Sequence, residues 1–400
     1  MIKLFFFLHD HSGARTYADE LLAYYRTRND LSVYTVFFQS RHHKEFCVIS
    51  GNGYTEVHLP PALNHERKLE KYSHRCLDLM HTLISNKENI VFHLNNAFQV
   101  KIGIIAREKY GVRLVYTLHF LPDYFSYMVH EGLDNLYTAG DVMEREMIQE
   151  ANQVICVTKF AKKAICKWYN APKNKVRAIH NGYGNDENNK ILLEENKMIL
   201  KTELGFDPTD DLILFVGLLE ERKGLKYLVL AFKQLCEEFP RVRLVIAGDG
   251  DYSHVFNYAK ECRGRITLTG KIGHDEVVQL YQVANIGVIP SIYEQCSYVS
   301  LEMMMHGLPV VVANAPGLNE LYEDNKDALL VPLHKGSTER LKLVMLENEL
   351  FASMEKLLQN EGLRRQFHWA SEQKWEHKYK AKVMGDATLN VYNKLIEIIT

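Results

Sequence analysis

Two carboxylates, Glu294 and Glu302, stand with seven residues between them in the stretch Pro290 to Pro309, P-S-I-Y-E-Q-C-S-Y-V-S-L-E-M-M-M-H-G-L-P. An apolar strand, Ile286 to Ile289, feeds Pro290. A helix pattern starts near Ser297 and stops at Gly307, where Pro309 prevents continuation. Glu294 thus precedes the helix, and Glu302 lies in its first two turns. The first N–H groups of that helix, around Tyr298 and Val299, face the crevice at the strand's carboxyl end. Open α/β sheets bind ligands there, and a helix start suits phosphate. Carboxylates accept hydrogen bonds from hydroxyls, so the pair suits sugar rings beside a diphosphate seat. The spacing alone carries little of this, because glutamates so placed are common.

A diphosphate leaving group also needs positive charge at the crevice mouth. The buried strand Asp211–Gly217 leads through Leu218-Leu219-Glu220-Glu221 to Arg222-Lys223-Gly224, and a helix follows. Lys223 is the candidate cation; Arg222 reads equally well as a surface charge. His119 closes another strand, Arg113 to Leu118, in the context Thr117-Leu118-His119. A strand-end histidine is more often structural than reactive. Gly13 follows the first strand, residues 2 to 8, where a lone glycine is more often a plain turn. No G-x-G-x-x-G follows that strand, which argues against a nicotinamide enzyme.

The central stretch resembles the E-x7-E signature of retaining, nucleotide-sugar-dependent glycosyltransferases of family four, and the likeness is strongest from Leu212 to Pro332. It implies an α/β chain of the GT-B fold: two Rossmann-like domains facing each other across a cleft, with a C-terminal crossover helix. In that family's terms Glu302 holds the donor ribose and Glu294 contacts the sugar hydroxyls. Lys223, with Arg222, neutralises diphosphate, and His119 sits near the reacting carbon. Gly13 and the strand glycine Gly217 let backbone approach the donor, and backbone near Lys271 and Ile272 contacts the base. The sequence departs from the pattern in places. Gln295-Cys296-Ser297 replaces the usual Gly-Phe-Gly after the first Glu, Leu218 stands where an Arg is common, and Pro316 replaces the first glycine of the later Gly-Gly pair.

The elements that must position these residues alternate along the chain. Apolar runs at Ser32–Phe38, Ile90–Leu94, Arg113–Leu118 and Gln153–Val157 are interleaved with helical patterns such as Glu66–Ile84 and Phe98–Tyr110, as in a parallel sheet covered on both faces. Four hundred residues suffice for two cores. The expected division is an N-terminal domain, 1–184; a polar linker, 185–199; a nucleotide-sugar-binding domain, 200–374; and a returning helix, 375–400. From Glu339 onward the chain reads as helical and charged. The aromatic run Phe120 to Gly140 is a candidate acceptor loop or an ordinary packed segment. Lys159 to Trp168 is an amphipathic helix that could touch a membrane, although a solvated outer face is the commoner case.

A net charge of −2 offers no attraction to nucleic acid. Seven cysteines without C-x-x-C pairs read as reduced thiols of a cytoplasmic protein. The apolar start, Met1 to Leu8, ends at His9-Asp10-His11 and reads as a buried strand rather than a signal peptide. No carboxylate pair has the context of a metal site, so the expected donor is a nucleotide sugar used without metal, UDP-linked first and GDP-linked second. The acceptor is a hydroxyl on a saccharide, lipid-linked glycan, natural product or peptide. The rival readings are a nucleotide-sugar epimerase-like enzyme and a catalytically inactive binding partner on the same fold.

Overall fold

The computed structural model describes residues 1–9, 14–40, 42–51, 53–63, 69–84, 89–119, 139–185, 192–338 and 341–397. Gly13, the aromatic run from Phe120 to Tyr137, and the first part of the expected linker therefore lie outside the described residues. The described chain falls into two compact units. The first comprises 1–182 with 381–397, and the second 183–380.

The first unit is built on an eight-stranded sheet in the order β3-β4-β2-β1-β5-β6-β7-β8. Its strands are β1 (Ile2–His9), β2 (Leu31–Phe38), β3 (Cys47–Gly51), β4 (Tyr54–His58), β5 (Ile90–Leu94), β6 (Arg113–Leu118), β7 (Gln153–Cys156) and β8 (Val176–Ala178). Every pairing is parallel except β3 with β4, an edge hairpin. Leu4 to Leu8 of β1 are buried, as a central strand covered on both faces requires. Lys159–Trp168 is a helix with Ala161, Ala164 and Ile165 buried, and Thr158 caps it by accepting from the Ala161 N–H at 3.1 Å. Its apolar side thus packs into the unit rather than facing outward. The final helix, Ala381–Glu397, clusters with this unit. Gly385 lies so close to the Tyr24 ring that a β-carbon would fall 2.1 Å from it.

The second unit holds a six-stranded, wholly parallel sheet in the order β11-β10-β9-β12-β13-β14. These are β9 (Asp211–Val216), β10 (Val242–Ala247), β11 (Ile266–Gly270), β12 (Ile286–Ile289), β13 (Val310–Ala313) and β14 (Ala328–Val331). Strand order reverses between β9 and β12, which makes their carboxyl ends the switch point where such sheets take ligands. The indole of buried Trp375 donates to the Tyr183 carbonyl at 2.8 Å, and the Tyr183 N–H donates to Tyr379 at 2.8 Å. The unit's first and last turns are thereby tied together.

The structure adds detail in three places. Within the stretch 185–199 a helix begins at Glu194 and runs to Glu203. The chain after Glu339 is not helical at once: β15 (Leu333–Thr338) and β16 (Leu341–Met345) form an antiparallel hairpin before the helix Glu347–Gln359. The returning segment is two elements. A π-turn, Trp375–Tyr379, stays with the second unit, and Lys380 is non-helical before the last helix begins at Ala381.

Candidate active site

The second unit brings Lys223, Glu294 and Ser291 together at the β9/β12 switch point. Lys223 closes a short 3-10 turn, Glu221–Lys223, after β9. Gly224 then takes a left-handed backbone, φ 72°, and approaches so near that a β-carbon would lie 2.0 Å from the Pro290 carbonyl oxygen. Only glycine meets both demands. The Ile292 N–H also donates to the Arg222 carbonyl at 2.9 Å. This loop-on-loop packing carries the Lys223 ammonium to the Glu294 carboxylate, which it pairs with, and the Ser291 hydroxyl donates to the same oxygen at 3.1 Å. Glu294 is buried. Behind it, a β-carbon on Gly317 would collide with the Glu294 and Gln295 carbonyls, so this loop too is fitted to the Glu294 backbone.

The helix runs from Tyr298 to Met305, capped by the Ser297 hydroxyl, which accepts from the Ser300 N–H at 3.3 Å. Tyr298 and Val299 form its first turn, where the helix dipole presents positive charge. Glu302 sits one turn further on, and its carboxylate accepts from the Tyr281 phenol at 2.6 Å. Burial raises the Glu302 pKa, while the Tyr281 hydrogen bond and the nearby His274 hold it down. Tyr281, pushed well above its ordinary value by burial and by Glu302, stays a donor.

The remaining expected residues of this unit are spread out. Arg222 pairs with Glu220 at 2.7 Å rather than with Glu294. Gly217 follows β9, and its N–H donates to the Ala247 carbonyl at 2.9 Å. Leu218 beside it is 56% exposed. Lys271 is exposed and Ile272 half-buried just past β11.

In the first unit His119 follows β6 and is partly buried. Its Nε2 lies 3.1 Å from the Asn95 side-chain oxygen, and the Asn95 amide donates to Phe7 at 3.1 Å. With Asn95 so fixed, its oxygen must accept, so Nε2 carries the hydrogen and Nδ1 is the free acceptor. Tyr17 packs edge-on against His119 with ring centroids 4.8 Å apart. Burial pushes the His119 pKa down to about 3, so the ring is neutral at working pH. Beneath it, buried His93 bridges the Thr117 hydroxyl at 2.6 Å and the Tyr392 phenol at 2.5 Å.

Sequence reading missed Tyr281, Ser291 and Asn95. Asn95 had a signal, a polar residue directly after the wholly buried β5, at the first unit's own switch point. Tyr281 had none, because its partner is 21 positions away on another helix.

Comparison with known proteins gives these positions a context. Two family models match in chain order: Glycosyltransferase Family 4 over residues 11–186 and Glycosyl transferases group 1 over residues 196–360. An uncharacterized glycosyltransferase of Methanocaldococcus jannaschii, MJ1607, is 35% identical over 192 residues, 47% of this chain and 49% of that protein. The chain spans about half the length of the curated relatives it matches. Sucrose-phosphate synthase from Thermosynechococcus elongatus superposes with a TM-score of 0.78 at 17% identity, covering 100% of both chains. Anabaena Alr3699/HepE, solved in complex with UDP and glucose, gives 0.73 at 16% identity over 98% of this chain and 100% of that one. With one model on each unit and the two-sheet architecture shared throughout, the chain belongs to the group 1 glycosyl transferases of family 4 and has the GT-B fold.

Proposed function

We propose that this chain is a retaining glycosyltransferase that moves a sugar from a nucleoside diphosphate to an acceptor hydroxyl. The observation that carries the reading is the cluster at the β9/β12 switch point, where Lys223, Glu294 and Ser291 meet beside the start of the helix bearing Glu302. Lys223 and the helix start stabilise the diphosphate as it leaves. Glu302 takes the ribose hydroxyls, and Glu294 takes those of the sugar. The anomeric carbon's bond to the diphosphate breaks, a bond to the acceptor oxygen forms on the same face, and the departing phosphate oxygen takes the acceptor's proton. His119, held neutral, offers Nδ1 as an acceptor to the transferred sugar. The nucleotide is UDP first and GDP second. The UDP-bound state of a solved protein of like fold supports that order.

The test is a thermal-shift panel of UDP, GDP, ADP and their sugars, since a ligand of the folded state alone raises the melting temperature. A shift with one nucleotide family supports the reading, and no shift with any contradicts it. Leu218, exposed where relatives often carry Arg, favours a second reading, an inactive binding partner. Transfer to any acceptor sinks that reading. Conversion of a sugar nucleotide with no acceptor present would instead make the chain an epimerase.

A further inference from the structure

The second unit has a cavity of about 540 Å³ at the opposite end of its sheet from the Lys223–Glu294 cluster. Its floor is the amino ends of β9, β12 and β13, represented by Asp211, Asn285 and Pro309. Sheets of this kind take their main ligand at the other end, so the donor reading leaves this cavity unexplained. His306 lines it. The residue is 8% exposed, and neither ring nitrogen has a hydrogen-bond partner among the described residues. A buried imidazole left so is costly unless something else meets it. Burial and nearby His274 push its pKa down to about 4, so it is neutral, with one nitrogen to donate and one to accept. A hydroxyl-bearing ligand that reaches the ring from the cavity would meet that need.

The lining carries Lys197, Lys201, Arg364 and Arg365 against Glu194, Asp210, Asp211 and Glu361. Lys197 pairs with Glu194 and Arg365 with Glu361, and both glutamates are largely exposed. Such surface pairs are weak and readily surrendered to a better anion. Asp210, also in the lining, is already neutralised by Arg243 from outside it.

The cavity is also wired to the donor side. His306 follows Glu302 by one helical turn, and its N–H bonds the Glu302 carbonyl at 3.1 Å. Tyr281 touches both: its ring stacks on His306 with centroids 5.6 Å apart, and its hydroxyl holds the Glu302 carboxylate. We propose that this cavity binds a small hydroxylated anion, an organic phosphate or carboxylate, and that its occupant acts on Glu302 through Tyr281. The binding stands on its own; its effect on nucleotide rests on Glu302 holding the donor.

The experiment uses β-glycerophosphate, citrate and inorganic phosphate as probes, with sodium chloride at matched ionic strength. Melting temperature is read for the full chain and for Lys223→Ala, His306→Phe and Arg365→Glu. His306→Phe keeps a ring on Tyr281 and removes both nitrogens, and Arg365→Glu reverses a lining charge without touching the core. The expected result is a rise with β-glycerophosphate or citrate in the wild type and in Lys223→Ala, lost in the other two. A phosphate-only shift that vanishes in Lys223→Ala belongs to the diphosphate seat and overturns the proposal. So does a response equal to that of sodium chloride, or one surviving both cavity variants. UDP affinity, measured with and without the effective probe, should change about fivefold or more, and the change should vanish in Tyr281→Phe. An unchanged affinity overturns the coupling. UDP that binds under neither condition counts against the donor reading, while the melting shift still decides the cavity.

Discussion

Lys223 and Glu294, 71 positions apart, hold each other in an ion pair with side chains 17% and 10% exposed. The sequence reading assigned one to diphosphate and the other to sugar hydroxyls; the structure shows that each is also the other's partner. On the proposed reading, a bound donor competes for both. The pair keeps either charge from lying buried alone, which is far costlier than an exposed charge.

Lys223→Ala should lower turnover about 10²–10³-fold, as expected for removing one preorganised stabiliser of leaving-group charge. Arg222→Ala should do much less, because its guanidinium is engaged by Glu220. Steady-state rates of the two variants check this, and equal losses would show that Arg222 also reaches the diphosphate. A double-mutant cycle on stability should give a Lys223–Glu294 coupling of roughly 0.5–3 kcal/mol. The coupling should shrink when nucleotide is present.

Glu302→Ala should weaken nucleotide binding by about 1.5–3 kcal/mol, the usual worth of hydrogen bonds to a charged group. Tyr281→Phe should have a smaller effect, since it removes only the donor that orients the carboxylate. Calorimetric titration with the bare nucleoside diphosphate measures both. Unchanged affinity in Glu302→Ala takes that residue out of the site.

Among the described residues, burial holds three histidines below their ordinary value: His93, His119 and His306. Their ordinary value is 6.5. Below it the unfolded chain takes up protons that the folded rings refuse, so stability is full above that pH and falls as pH drops towards the folded values. Each ring contributes a slope of roughly 1.4 kcal/mol per pH unit in that window. His306→Phe should flatten the second unit's acid limb by one such slope, followed by urea unfolding between about pH 7 and pH 5. Because His119 is neutral throughout, His119→Gln should lower kcat without moving the acid limb of the pH–rate profile.

Gly224 and Gly205 offer a controlled comparison. Both have left-handed backbone, φ 72° and 83°, but a β-carbon on Gly205 would meet nothing within 4 Å. Gly205→Ala should cost roughly 1–2 kcal/mol from backbone strain alone. Gly224→Ala should cost more and also weaken nucleotide binding, because the Pro290 carbonyl must move and Lys223 moves with it. Melting temperature and nucleotide titration together separate the two effects.

Much of the site was legible because it sits where local chemistry is strong. Ile286 to Ile289 is bounded by Pro290, and the following helix is stopped by Gly307 and Pro309, so strand, loop and helix were readable to within a residue or two. The helix Glu194–Glu203 was not legible. Its buried residue is Lys201, whose ammonium donates to the Asp210 carbonyl at 2.7 Å and to Asn285 at 3.2 Å, so no apolar stripe announces it. The strands β15 and β16 carry Lys335 and Lys342, and the sequence between them has no Asn-Gly or Asp-Gly to announce a turn, so the stretch reads as a charged helix. The Tyr281–Glu302 and Asn95–His119 contacts join separate elements, and no local pattern encodes them.

The most direct test of the central claim is the configuration of the product. The nucleotide sugar that gives the largest thermal shift is incubated with a panel of acceptors, with Mg²⁺ or with excess EDTA, and the new anomeric signal is read by proton NMR. The account predicts transfer in both conditions, with the donor's anomeric configuration kept. An inverted product, or transfer abolished by EDTA, would contradict it.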